Sequence, residues 1–262
     1  RRQIQDKRVA VFLDYDGTLT PIVENPSEAK LSDKMKRMLE KLSAHWTVAI
    51  LTGRGLDDIR NLAGLEKVIY AGSHGFNISG PGDSIREKIG EEFIPALDQA
   101  EKELYSVIDN YNGVNIERKP FAIAVHYRKA EEEIKPELDK QISSITDRHP
   151  ELKKTSGKKI FELRPKTDWH KGKALSHLLE KLHVEESRTV PIYIGDDTTD
   201  EDAFRAVAKE GIGILVSDDN RPTEAKYVLK NTDEVTEFLN VLLKFAEKKE
   251  GCEINDWSLI YK

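Results

Sequence analysis

The run Asp14-Tyr15-Asp16-Gly17-Thr18-Leu19-Thr20 follows directly on the apolar stretch Val9–Leu13. Two carboxylates two residues apart, at the exit of a strand-like segment, suit phosphoryl transfer onto an aspartate. One attacks phosphorus and becomes an aspartyl phosphate. The other protonates the leaving oxygen and then takes a proton from the attacking water. Ligands of open α/β sheets bind beyond the carboxyl ends of strands, which is where this run stands. A carboxylate and a phosphate dianion repel each other strongly when shielded from water, so cations are required nearby. The competing reading is an Asp-Gly turn that merely leaves a strand. An EF-hand loop is excluded, because Thr18 would fall at its third ligand position and the glycine is misplaced.

Such a run needs a scaffold of strands with helices between them. Val9–Leu13, Thr47–Leu51, Val68–Ala71, Val190–Ile194 and Ile212–Val216 are short and apolar without alternation, as strands buried on both faces are. Ser32–Leu42, Lys173–Leu182 and Val235–Phe245 repeat Leu, Met and Phe at helical spacing, with Ser32 as an N-cap. The middle of the chain differs. After Gly80-Pro81-Gly82 the pattern predicts a helix over Ile89–Asn110, strands at Val114–Arg118 and Phe121–Tyr127, a helix over Glu131–Asp147 and a strand at Lys159–Leu163. That order is α+β with antiparallel pairs, unlike the flanking βα units. The expected organisation is a Rossmann-like α/β core with a parallel sheet from residues 1–79 and 167–250. An α+β domain over 80–166 is inserted into it, and a tail covers 251–262.

The motifs resemble those of the haloacid-dehalogenase-like (HAD) phosphohydrolases, in order and at successive strand ends. The resemblance implies that Asp14 is the nucleophile and Asp16 the general acid/base. It also implies Mg²⁺ bound by the Asp14 carboxylate, the Asp16 carbonyl and Asp196, hard oxygen donors of the kind Mg²⁺ prefers. Leu51-Thr52-Gly53-Arg54 matches the second motif, with Thr52, Gly53 and Arg54 as phosphate binders. Read alone, Thr52 is rather an N-cap and Gly53 a turn, and Arg54 is equally a partner for a carboxylate at the rim. Lys171, in His170-Lys171-Gly172-Lys173-Ala174-Leu175, matches the motif lysine that holds nucleophile and phosphate together. Lys173, two residues on, competes but falls inside the helix. Gly195-Asp196-Asp197-Thr198-Thr199-Asp200-Glu201-Asp202 matches the fourth motif. Asp197 and Asp200 read as supporting partners, Asp200 also as an anchor for Lys171. Glu201 and Asp202 read as acids favoured in a first helical turn.

Within that superfamily the chain resembles the trehalose-6-phosphate phosphatases over residues ~8–246. The likeness rests on Leu13–Ile22, Gly72-Ser73-His74-Gly75, His126-Tyr127-Arg128, Phe161-Glu162-Leu163-Arg164-Pro165 and, most specifically, Gly195–Phe204. The inserted domain is then the cap that such enzymes place over their site. Glu117, Lys119, His126, Arg128 and Glu162 become candidates to bind the sugar hydroxyls. The alternative for these five is a solvated sheet face with cross-strand ion pairs. Arg164 reads as hinge or ligand, and His74 as facing the site or closing a turn. Two rivals stay open: another sugar phosphate, such as sucrose or glucosylglycerol phosphate, and a non-catalytic module that binds sugar phosphate.

Composition agrees with a charged, globular chain. The 262 residues include 41 Lys plus Arg and 47 Asp plus Glu, for a formal net charge of −6. A mildly acidic balance argues against a chain whose main task is gripping nucleic acid, where a basic face is expected, and no apolar run is long enough to span a bilayer. The single cysteine, Cys252, excludes an internal disulfide and fits the reducing cytoplasm. The chain starts at Arg1 without a signal-like stretch, and its tail weakly resembles the opening of a disaccharide phosphorylase-like domain. It therefore reads as part of a longer fused polypeptide.

Overall fold

The computed structural model describes residues 7–109, 111–157, 159–183 and 189–248; the tail 251–262, with Cys252 and Trp257, lies outside them. In chain order the elements are β1 (Arg8–Leu13), α1 (Asp33–His45), β2 (Thr47–Leu51), α2 (Leu56–Ala63), β3 (Ile69–Gly72), β4 (Asn77–Ser79) and β5 (Arg86–Lys88). Then come α3 (Ile94–Ile108), β6 (Asn115–Lys119), β7 (Ala122–His126), α4 (Lys135–Arg148), β8 (Leu152–Gly157) and β9 (Ile160–Pro165). The last are α5 (Lys171–Lys181), β10 (Thr189–Gly195), α6 (Glu201–Val207), β11 (Ile212–Val216), β12 (Tyr227–Leu229) and α7 (Thr232–Lys248).

The chain divides into two compact units, Arg1–Glu87 with Trp169–Lys262, and Lys88–Asp168. The first carries an eight-stranded sheet in the order β12-β11-β10-β1-β2-β3-β4-β5. From β12 to β3 every neighbouring pair is parallel, and β4 turns back antiparallel on β3. After β1 the chain builds outward through β2 and β3; after the second unit it resumes at β10 on the other side of β1. The order therefore reverses between β1 and β10, and the loops leaving that switch point diverge and open a crevice. Leu13 stands opposite Ile194 in the register, so Asp14 and Gly195-Asp196 emerge side by side at that crevice. Topology puts the two acidic runs, 182 residues apart in sequence if counted from Asp14 to Asp196, at one strand edge.

Helix α1 starts where Ser32 Oγ accepts the Met35 N–H at 3.1 Å, and its Met35, Met38, Leu39 and Leu42 are buried. They pack with Val235, Phe238, Leu239 and Leu242 of α7 and with one face of the strands into one core. Gly64 ends α2 in the left-handed conformation at φ 58°, where a side chain is strained.

The second unit is a four-stranded antiparallel sheet in the order β6-β7-β9-β8. Its apolar face, with Ile123, Val125, Phe161 and Leu163, packs on Leu97, Leu104, Leu138 and Ile142 of α3 and α4. Strand β8 is absent from the sequence expectation, because Leu152-Lys153-Lys154-Thr155-Ser156-Gly157 is polar and buries only Leu152. The long helix expected from Ile89 begins at Ile94, after a 3-10 turn over Glu91–Phe93. The chain around 80–87 differs from the expected boundary too: β5 joins the eight-stranded sheet, and the second unit starts at Lys88.

Candidate active site

Asp14 is the residue after β1; its N–H bonds Ile194 O at 2.9 Å, which extends the β1–β10 ladder by one step. Its carboxylate is 8% exposed and meets Lys171 Nζ at 2.8 Å. Lys171 is the first residue of α5 and is only 3% exposed, with its ammonium also 2.7 Å from Asp200 Oδ1. Lys173 is solvent-exposed, whereas Lys171 is the buried lysine paired with Asp14 and Asp200.

Asp200 is fully committed. Its Oδ1 accepts from Lys171 and from Tyr193 Oη at 2.6 Å, and its Oδ2 accepts the N–H groups of Asp196 at 3.1 Å and Asp197 at 3.0 Å. Those bonds fold the Gly195–Asp200 loop around Asp200. Asp197 caps the short turn after it, accepting the Thr198 N–H at 2.6 Å. Asp196 receives Thr18 Oγ1 at 3.3 Å and lies against Gly17, where a Cβ would come 2.1 Å from Asp196 Oδ2. With φ at +83° as well, position 17 admits only glycine without displacing that carboxylate.

One carboxylate oxygen each from Asp14, Asp196 and Asp200 lie within 4.8 Å of one another. Burial pushes the Asp14 carboxyl well above the usual carboxylate range, against Lys171, and the Asp200 and Asp196 charges add to the rise. Burial, followed by the Asp200 charge, pushes Asp196 up to about 6. Burial opposes the charge on Lys171, but Asp14 and Asp200 outweigh it and hold the ammonium protonated. Three carboxylates facing one ammonium leave surplus negative charge in a desolvated place, which a divalent cation neutralises. The donor set fits one: hard carboxylate oxygens, with Asp14 and Asp196 open to it and Asp200 spent on its four partners.

Thr52 is buried at the end of β2. Its hydroxyl accepts the Arg54 N–H at 3.2 Å, and the N-cap of α2 is Gly55, so Thr52 does not cap that helix. Gly53 is exposed, with the His74 ring over it: a Cβ there would meet His74 Cε1 at 2.9 Å. Arg54 takes the rim-carboxylate alternative. Its Nε and Nη2 each donate to one Asp16 oxygen at 2.7 Å, Nη1 donates to Asp58 at 2.9 Å, and Nη2 also reaches Pro26 O at 2.9 Å. A planar fork meeting both oxygens fixes the Asp16 carboxylate in orientation as well as place.

The five sugar candidates belong to the second unit, four of them on strands. Glu117 and Glu162 flank Ala124 in register, on the face turned away from α3 and α4. Lys119 Nζ meets Glu162 at 2.8 Å, Arg164 meets its other oxygen at 2.5 Å, and His126 meets Glu117 at 2.8 Å. Arg128 is exposed just beyond β7. The cross-strand ion pairs of the alternative reading are therefore present.

Two roles escaped the sequence reading. Glu201 does more than favour a helix start: it accepts Thr223 Oγ1 at 3.2 Å and the Glu224 N–H at 2.7 Å and ion-pairs with Arg221 at 3.3 Å. Arg221 in turn donates to the Asp196 carbonyl at 3.0 Å. Neither spacing nor motif marks Arg221; only the fold of the segment after β11 brings it there.

A mostly parallel sheet with an acidic run at its switch point and a buried lysine beside it is the arrangement of the HAD-like hydrolases. A haloacid dehalogenase-like hydrolase from Bacteroides thetaiotaomicron shares this fold at TM-score 0.63 and 16% identity, over 90% of this chain and 100% of that one. A trehalose-6-phosphate phosphatase related protein superposes at TM-score 0.75 with 26% identity, over 92% of this chain and 99% of that one. The trehalose-phosphatase family profile matches residues 12–233. The probable trehalose-phosphate phosphatase 4 of Oryza sativa subsp. japonica is 39% identical over 254 residues, 95% of this chain and 69% of that protein. The chain belongs to the trehalose-phosphatase family and is a phosphoric monoester hydrolase. Among the described residues no helix is long and apolar enough to cross a membrane.

Proposed function

We propose that the chain hydrolyses trehalose 6-phosphate to trehalose and phosphate through an aspartyl phosphate on Asp14, with Mg²⁺ as its cation. The observation that carries the reading is the buried Asp14 carboxylate at the β1/β10 switch point, 2.8 Å from Lys171 and clustered with Asp196. The Asp14 and Asp196 carboxylates and the Asp16 carbonyl would hold Mg²⁺, which when bound offsets the repulsion between carboxylate and phosphate.

Asp14 attacks phosphorus, and the bond from phosphorus to the sugar oxygen breaks. Asp16 gives its proton to that oxygen, releasing trehalose. A water then attacks the aspartyl phosphate, Asp16 takes back a proton, and phosphate leaves with Asp14 restored. Lys171 offsets the charge of nucleophile and phosphoryl group, and Thr52 and the Gly53 N–H bind phosphoryl oxygens. Arg54 has two roles open to it, holding Asp16 before substrate arrives and turning to the phosphate afterwards.

We assign the cap to Lys88–Asp168 and sugar recognition to Glu117, Lys119, His126, Arg128 and Glu162. Glu117, Lys119 and His126, half-exposed and paired, can exchange their partners for hydroxyls at small cost, whereas Glu162, 13% exposed between Lys119 and Arg164, is the fixed member of the group. A reducing, cytoplasmic setting is consistent with the single cysteine.

A panel of sugar phosphates assayed for phosphate release tests the reading. Turnover is expected with trehalose 6-phosphate and not with sucrose or glucosylglycerol phosphate, silenced by EDTA and restored by Mg²⁺. Binding of the sugar phosphate without release would instead make the chain a regulatory module.

A further inference from the structure

We infer that Arg221 and Glu201 form a positioning pair for the cation site: Glu201 fixes Arg221, and Arg221 fixes the peptide that aims Asp196. The inference rests on the proposed metal reading and extends it to two residues beyond the metal's own ligands.

The geometry has three parts. Arg221 Nη2 donates to the Asp196 carbonyl at 3.0 Å, 25 residues away in sequence. Arg221 Nη1 lies 3.3 Å from Glu201 Oε1, with side chains 26% and 16% exposed. The other Glu201 oxygen holds the Arg221 loop at two points, Thr223 Oγ1 at 3.2 Å and the Glu224 N–H at 2.7 Å. One carboxylate at the start of α6 thus ties the segment after β11 to the segment after β10, and a guanidinium closes the link on the backbone of Asp196.

The link has a direct consequence for Asp196. Its peptide is held on both sides: the N–H bonds Asp200 Oδ2 at 3.1 Å and the carbonyl bonds Arg221. With both ends of the residue fixed, the carboxylate has only its own side-chain rotations left, and Gly17 and Thr18 restrict those. Groups behind a ligand that fix its orientation contribute about 10–100-fold to metal affinity when removed. The guanidinium suits this task because Nη1 meets the Glu201 carboxylate as an ion pair while Nη2 donates a hydrogen bond to the Asp196 carbonyl. Glu201 pairs with Arg221 and the 223–224 segment, and Arg221 with Glu201 and Asp196, so the pair acts through Asp196 rather than on the phosphate.

The test uses Mn²⁺ alone as a probe, its free concentration read by electron paramagnetic resonance, on the unaltered chain and on Arg221→Ala, Arg221→Gln and Asp196→Asn. The unaltered chain is expected to bind Mn²⁺ and Asp196→Asn to lose it. If the unaltered chain does not bind, the metal reading itself fails. Arg221→Ala is expected to weaken Mn²⁺ binding about tenfold, with the melting temperature of the metal-free protein nearly unchanged. Arg221→Gln, which keeps a donor but not the charge, should fall between; should the Ala variant not fold, the Gln variant decides. Unchanged Mn²⁺ affinity in these variants, beside a binding parent, overturns the inference and leaves the metal reading standing. In phosphate release from trehalose 6-phosphate, excess Mg²⁺ is expected to restore kcat in Arg221→Ala. A raised KM that no Mg²⁺ concentration reverses would assign Arg221 to the substrate and overturn the inference.

Discussion

The molecule carries two clusters of charged side chains, and they are built to opposite specifications. Around Asp14, Lys171 and Asp200 the ion pairs are almost without solvent, with exposures of 8%, 3% and 0%. On the sheet of the second unit, Lys119 is 36% exposed, His126 42% and Glu117 54%. Desolvation makes the first set stiff and costly to disturb, because a buried charge that loses its partner has no water to turn to. Most of the second set stays near water, where an exposed pair contributes about 1 kcal/mol or less and gives way readily; Glu162, 13% exposed, is its partly buried member. Covalent chemistry needs the first kind of site; the second is the kind to which we assign recognition of a polyhydroxylated sugar.

That contrast sets the order of expected effects. Asp14→Asn is expected to abolish turnover, by about 10⁴-fold or more, while circular dichroism shows the fold retained, since Lys171 keeps Asp200. Near-normal rates in this variant would dissolve the distinction between the clusters at its root. Lys171→Met is expected to destabilise the first unit by about 3–5 kcal/mol, measured by urea unfolding, and to remove activity with it. A stable Lys171→Met protein would show that the buried carboxylates tolerate each other without the ammonium.

Lys119→Ala should behave differently on both counts. Its expected effect is a KM for trehalose 6-phosphate raised about tenfold, the worth of one charge-assisted hydrogen bond, with hydrolysis of p-nitrophenyl phosphate unchanged. Equal losses with both substrates would move Lys119 from recognition into the chemistry. The smallest effect concerns acidity. Burial pushes the Glu162 carboxyl up, but Lys119 and Arg164 outweigh it and hold it below the usual glutamate range. A depressed carboxylate contributes stability above its unfolded value, about 4.3, and loses it as pH falls through the folded value. The melting difference between the parent and Glu162→Gln should therefore be full at neutral pH and shrink as the medium is acidified below about pH 4. A difference independent of pH would mean that the pair does not stabilise the sheet.

The first cluster was the more legible in sequence, for a physical reason. Asp14, Thr52, Lys171 and Asp196 each sit at or just beyond an element end, so short runs such as Asp14–Thr20 and Gly195–Asp202 announce them. The pairing of Lys171 with Asp200 follows from the same logic, a cation needed where acids converge. Arg54 was visible as a residue but not in its partner, because Asp16 meets it across two loops whose paths no spacing encodes. Arg221 was invisible for the same reason. Strand β8 was missed because its side chains are mostly polar, and β5 because three residues at a sheet edge carry no period. Alternation places Glu117, Lys119, His126 and Glu162 on one side of the sheet, yet it cannot say whether they face a sugar or only one another.

The central claim is that Asp14 itself accepts the phosphoryl group. The direct measurement is to quench the enzyme in acid during turnover of trehalose 6-phosphate with Mg²⁺, reduce it with borohydride and sequence the peptide holding residue 14 by mass spectrometry. An aspartyl phosphate is reduced to homoserine, and the expected result is homoserine at position 14. Aspartate intact at position 14 with homoserine at another acidic position, or at none while phosphate is being released, would contradict the account.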